Sequence, residues 1–163
     1  MRKLNIGNYL LIAFLFPTIA FAKIIYGEVI KISDGDTLTI LTNENKQIKI
    51  RLSEIDAPEK NQAYGKASRQ SLAALCFRKH AVINSIGNDR YGRTLGRVSC
   101  DAIDANAEQI KMGMAWVYDK YVTDKSLYDL QKTAKNQKQG LWADENPTPP
   151  WLFRRNQFQR GSI

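Results

Sequence analysis

The chain reads as α+β, mainly β: a five-stranded barrel carrying three helices. Three observations predict this. Several short runs alternate apolar and polar residues at the period of a half-buried strand. Turn residues such as Ser33-Asp34-Gly35-Asp36 and Asn43-Glu44-Asn45 separate those runs. The elements come as three strands, a helix, two strands and then more helix, which is the order of an OB-fold barrel with helical additions. Closing the barrel would protect strand edges that an open sheet leaves exposed.

In chain order, residues 1–22 form a signal-peptide pattern rather than part of the fold. Arg2 and Lys3 precede an apolar run from Tyr9 to Phe16, and Ala20-Phe21-Ala22 is a small-x-small cleavage site. The run is too short for a comfortable membrane span. With no Cys after the cut, a lipid-anchored product is not expected. An exported product of about 140 residues, periplasmic or secreted, is. Ile24 to Ile32 is the first strand, with Gly27 a candidate bulge or barrel bend. Thr37 to Thr42 is the second, and Ile48 to Leu52 the third, with Ile48, Ile50 and Leu52 facing one way and Lys49 and Arg51 the other. Pro58 has no N–H and ends that ladder. A helix over about Lys66 to Phe77 has only moderate apolar spacing, through Ala67, Leu72, Leu75 and Cys76.

Ala81 to Ile86 and Leu95 to Cys100 are strands four and five, joined by the loop Asn88 to Arg93. If they form a hairpin, Cys100 lies beside the residues that follow Cys76. This predicts a Cys76–Cys100 disulfide, which suits an oxidising compartment and is worth roughly 3 kcal/mol by chain entropy. A second helix, Asp104 to Met112, ends at Gly113, a left-handed cap. A third runs from Asp124 or Ser126 to about Gln137, after the aromatic stretch Ala115 to Val122. Pro147-Thr148-Pro149-Pro150 cannot continue a helix, and Trp151, Leu152 and Phe153 should pin the tail, 147–163, to the barrel domain, 23–146.

Composition narrows the chemistry. The formal net charge of +8 becomes +6 once Arg2 and Lys3 are removed, which favours an anionic partner such as nucleic acid. Two cysteines cannot build a zinc knuckle, and a single histidine, His80, rules out paired-histidine catalysis within one chain. Catalysis would have to come from carboxylates, arginines and a metal that prefers oxygen.

Three segments carry such groups. Asp34-Gly35-Asp36-Thr37 lies in the first turn, Arg51 with Asp56-Ala57-Pro58-Glu59 follows, and Asp89-Arg90-Tyr91-Gly92-Arg93 lies between strands four and five. Each is weak alone. As a set and in this order they resemble the thermonuclease, or staphylococcal nuclease-like, family over about Ile25 to Trp142. The resemblance implies an OB-fold nuclease that uses Ca2+, acts on DNA and RNA, and leaves 3′-phosphate ends. It implies Asp36, Asp56 and the Ala57 carbonyl as metal ligands and Arg51 and Arg93 as phosphate-binding arginines. Glu59 would be the general base or the organiser of the metal and its water, and Tyr91 a neighbour of the substrate phosphate. Some features depart from the family's best-known member. The loop Lys60 to Tyr64 is short, and its base-stacking tyrosine has no secure match, Asp119 standing opposite with Tyr118 and Tyr121 nearby. A monomer is the expected state, and a catalytically silent OB-fold nucleic-acid-binding module is the alternative function.

Overall fold

The computed structural model describes residues 23–160, so the expected signal peptide lies outside the described residues. β1 (Lys23–Ile32), β2 (Thr37–Leu41) and β3 (Gln47–Leu52) form an antiparallel meander. Its apolar alternation lands as read: Ile50 and Leu52 are buried, with Leu38 paired to Ile50 across the sheet. The short β4 (Ile55–Asp56) follows a turn at Ser53-Glu54, and α1 (Gly65–Cys76) follows the Pro58 loop. β5 (His80–Asn88) and β6 (Thr94–Cys100) form the expected hairpin, and β5 also pairs with β1. Closure comes from parallel pairing of β3 with β6, Ile50 opposite Thr94 and Leu52 opposite Gly96. The result is the closed five-stranded OB barrel.

The remaining elements cap it. β7 (Ile103–Asp104) folds back antiparallel on β6, and α2 (Ala105–Lys111) starts where the Asp104 carboxylate accepts the Ala107 N–H at 3.0 Å. Gly113, at φ 64°, takes the left-handed turn expected of it. β8 (Trp116–Val117) pairs with β4, so part of the aromatic stretch is a strand that sequence periodicity did not reveal. α3 (Ser126–Asn136) and a 3-10 turn, Gly140–Ala143, complete the body.

Two expectations change. The tail does not stop at its prolines: Pro150 opens a fourth helix, α4 (Pro150–Arg160). Proline is excluded from a helix interior but suits the first turn, where its missing N–H would have had no intrahelical partner. The β1 irregularity lies between Val29 and Lys31 rather than at Gly27. Gly27 instead permits close approach of β2, since a Cβ there would sit 2.6 Å from the Leu41 carbonyl oxygen.

Cys76 and Cys100 are bonded, with Cα atoms 5.2 Å apart. The hairpin register accounts for this, since Cys100 faces Ala81, and the Lys79 N–H returns to the Cys76 carbonyl at 3.1 Å. The core is continuous from the barrel (Val29, Ile40, Ile83, Val98) to the helices through Leu72, Ile110 and Leu127, each fully buried. Among the described residues no helix is long and apolar enough to cross a membrane.

Candidate metal and phosphate site

The first turn delivers Asp36 by packing rather than by charge. Gly35 lies so close to α1 and to Ala57 that a Cβ would fall 1.8 Å from the Ser68 hydroxyl and 2.8 Å from the Ala57 Cβ. Glycine at this position lets the turn press against the β4 segment. Its carbonyl accepts 2.6 Å from Nε2 of Gln109, a fully buried amide of α2 that also donates to the Ser68 carbonyl. Ser71 donates to Oε1 of the same amide. These buried polar groups are satisfied by one another, as buried polar groups must be. Sequence reading missed them, because an apolar-periodicity test scores Ser68, Ser71 and Gln109 as surface.

Asp36 is thereby buried beside the second segment. Its Oδ2 accepts the Ala57 N–H at 2.7 Å, its Oδ1 accepts the Thr37 hydroxyl at 3.1 Å, and its carbonyl accepts the Leu52 N–H at 2.8 Å. Arg51, opposite Thr37 on β3, points into the same space. One guanidinium nitrogen, Nη2, lies 3.1 Å from Asp36 Oδ2 and 3.0 Å from Asp56 Oδ1. The other, Nη1, donates to the carbonyls of Leu52 and, at 2.9 Å, Ile55. Arg51 therefore also fastens the turn that leads to Asp56. From the far side the buried Asn106 holds that turn, its Nδ2 donating to the Ser53 carbonyl at 2.7 Å.

Glu59 is partly exposed at the rim. Its carboxylate, like that of Asp56, is engaged by a residue the sequence reading did not single out. Arg154 of α4 donates from Nη1 to Glu59 Oε1 at 2.7 Å and to Asp56 Oδ1 at 3.2 Å, and from Nη2 to Asp56 Oδ2 at 2.8 Å. Sequence gave no signal for it, since it lies 98 residues from Asp56 on a helix that the prolines concealed.

Four of the five predicted side chains, Asp36, Arg51, Asp56 and Glu59, thus form one connected cluster, with Ala57 inside it. Arg93, the fifth, stands in the loop just before Thr94, the β6 residue registered with Ile50, and makes its contacts within that loop. Its guanidinium pairs with Asp89 at 2.6 Å and lies 5.6 Å from the centre of the Tyr91 ring. Tyr91 is exposed, its hydroxyl accepting from Arg90 at 2.6 Å. Asp119 accepts the Tyr128 hydroxyl at 2.7 Å, which ties it to α3, whereas Tyr118 stacks on Trp151 with ring centres 5.7 Å apart.

Burial strains the charge at the centre. Burial, with the neighbouring carboxylates Asp34 and Asp56, pushes the Asp36 carboxyl up to about 7, against the opposing pull of Arg51. Burial lowers the Arg154 guanidinium, but its bonds to Asp56 and Glu59 outweigh that and raise it. Among the described residues no three His, Cys, Asp or Glu side chains form a ready-made metal cage. The donors are instead two hard carboxylates, Asp36 and Asp56, which meet at one guanidinium nitrogen. That set fits an oxygen-preferring divalent cation that completes its shell with main-chain and water oxygens. It does not fit a soft metal.

Known proteins resemble this chain over most of its length. The family model described as staphylococcal nuclease homologue matches residues 49–144. An uncharacterized endonuclease of Haemophilus influenzae is 48% identical over 129 residues, covering 79% of this chain and 72% of that protein. A micrococcal nuclease of Shigella flexneri is 43% identical over 140 residues, covering 79% and 80%. An uncharacterized endonuclease of Escherichia coli O157:H7 is 41% identical over 145 residues, covering 88% and 94%.

Proposed function

The chain belongs to the staphylococcal nuclease family, and from that premise we propose that it is an exported, calcium-dependent, sugar-nonspecific nuclease that hydrolyses phosphodiester bonds of DNA and RNA and leaves 3′-phosphate ends. The observation that carries the reading is the meeting of the Asp36 and Asp56 carboxylates at the Arg51 guanidinium. Separate turns bring them together, held from behind by the buried amides Gln109 and Asn106. Folding alone gives little reason to bury an aspartate whose carboxyl must be forced to ionise near pH 7.

In this reading Asp36, Asp56 and the Ala57 carbonyl hold the ion. When bound, calcium would neutralise a phosphate oxygen and polarise the phosphorus. Glu59, at the partly exposed rim beside Asp56, takes the proton from an attacking water or orders that water. Were those carboxylates to hold an ion, the Nη2 edge of Arg51 that they now share would be the group to meet phosphate oxygens. Arg93 would donate from the loop before β6, and Tyr91 lies beside it. Guanidinium forks suit the charge that develops on equatorial oxygens in the pentacoordinate transition state. The bond that breaks is phosphorus to the 5′-oxygen, which leaves the phosphate on the 3′ side.

The test is incubation of residues 23–163 with single-stranded DNA and with RNA, in calcium and then in chelator, with end-group analysis of the products. Cleavage of both, lost on chelation and ending in 3′-phosphate, is expected. Tight binding without cleavage would replace the enzyme by a silent nucleic-acid-binding module.

A further inference from the structure

Arg154 engages the same Asp56 carboxylate that the proposed metal would use. The Asp56 carboxylate is almost wholly buried, its side chain 1% exposed, and both its oxygens are taken. Oδ2 accepts from Arg154, and Oδ1 accepts from Arg154 and from Arg51. Glu59 is engaged through the same guanidinium. The contact is built rather than incidental. Trp151, one turn earlier on α4, stacks on Tyr118 with planes 6° apart and meets Trp116 edge-on at 5.7 Å. Trp116 is the strand partner of Asp56. The chain before the helix is fastened by Gln62, whose Nε2 donates to the Thr148 carbonyl at 2.6 Å. The helix therefore docks against the very strand pair that carries Asp56, and directs one arginine at its carboxylate.

We propose that Arg154 is an internal counter-ion, which closes the carboxylate site in the metal-free protein and is displaced when a divalent cation binds. This rests on the reading that Asp36 and Asp56 hold such a cation. Arg154 takes a lone pair on each oxygen of Asp56 and Arg51 takes a third, so an ion drawn to the same buried carboxylate competes with the Arg154 guanidinium. The Arg154 side chain is 38% exposed, so it can rotate into solvent while Trp151 keeps the helix in place. Closure then lowers the apparent metal affinity by the fraction of molecules with the arginine withdrawn. It also relieves repulsion between Asp56 and Glu59 when no ion is present. Charge alone does not explain the arrangement, because Arg155, exposed on the same helix, provides the same charge without a fork on either carboxylate.

Calcium titration by calorimetry into the full mature chain, with thermal unfolding in chelator as the check on folding, tests this. Arg154→Gln should bind calcium about tenfold more tightly than the wild type, with Arg154→Lys between them. Arg155→Gln should stay within about twofold, which isolates the fork from net charge. Calcium should also raise the melting temperature of Arg154→Gln more than that of the wild type, since the wild type gives up its own ion pair on binding. If wild type and Arg154→Gln bind calcium equally, or Arg154→Gln binds less well, Arg154 is not a competitor, although the carboxylate site stands. If neither binds calcium while both are folded, the metal reading itself fails and the counter-ion goes with it. Should Arg154→Gln not fold, the comparison of Arg154→Lys with the wild type decides the matter in the same terms.

Discussion

Replacing Asp36 with Asn should make the metal-free protein more stable at alkaline pH while removing a proposed metal ligand. The Asp36 carboxyl titrates at about 7 in the fold against 3.8 in an open chain. The folded state therefore holds more protons than the unfolded state across that interval, and stability falls as pH rises through it. At 1.36 kcal/mol per pH unit the whole window is worth on the order of 4 kcal/mol. Between pH 5 and pH 8 roughly two of those units are crossed, so the wild type should lose about 2–3 kcal/mol. Asn keeps an oxygen for the Ala57 N–H but no longer pairs with Arg51. We expect Asp36→Asn to be more stable than wild type by about 1–2 kcal/mol at pH 8 once that loss is subtracted. Urea unfolding in chelator at both pH values measures this, the difference between the two proteins' pH slopes being the readout. Equal slopes would show that Asp36 ionises without strain and would refute the reasoning.

Three further outcomes follow from the same contacts. Arg51→Lys should lose both turnover and about 1–3 kcal/mol of stability, because Leu52 and Ile55 carbonyls lose donors. Arg93→Lys, at a partly exposed site, should lose turnover with little change in urea midpoint. Glu54 accepts from Thr123, from the Asp124 N–H and from Arg97, and although burial opposes it these bonds hold its carboxyl below the usual range. Its contribution is thus present above the unfolded value of 4.5 and lost as pH falls through the lower folded one. Thermal melts of Glu54→Gln should be lower than wild type near pH 7, with the gap closing toward pH 3.

The barrel was legible because its signals are local. Alternation in Ile48 to Leu52, the turn residues between strands and the hairpin that brings Cys100 toward Cys76 all act over short separations. The carboxylates and Arg51 could be picked out because the set, in its order, resembles a known nuclease family, each segment being weak alone. What escaped reading is either polar inside or distant in sequence. α1 turns Ser68 and Ser71 inward to Gln109, so its apolar stripe is thin and its period faint. Glu54, at φ 66° in a turn, looks like solvated charge until Arg97 and Thr123 close round it. Pro150 was a breaker by composition and a helix start by position. Arg154 depends on that helix, so nothing local could have announced it.

The proposed function depends on the Asp36–Asp56 carboxylate pair, and Asp56→Asn tests it most directly. A labelled single strand of DNA, calcium, and near-ultraviolet circular dichroism to confirm the fold are sufficient. Wild type should cut the strand, and the folded variant should not, at any calcium concentration that saturates the wild type. A folded Asp56→Asn protein that cuts at the wild-type rate would contradict the site as described.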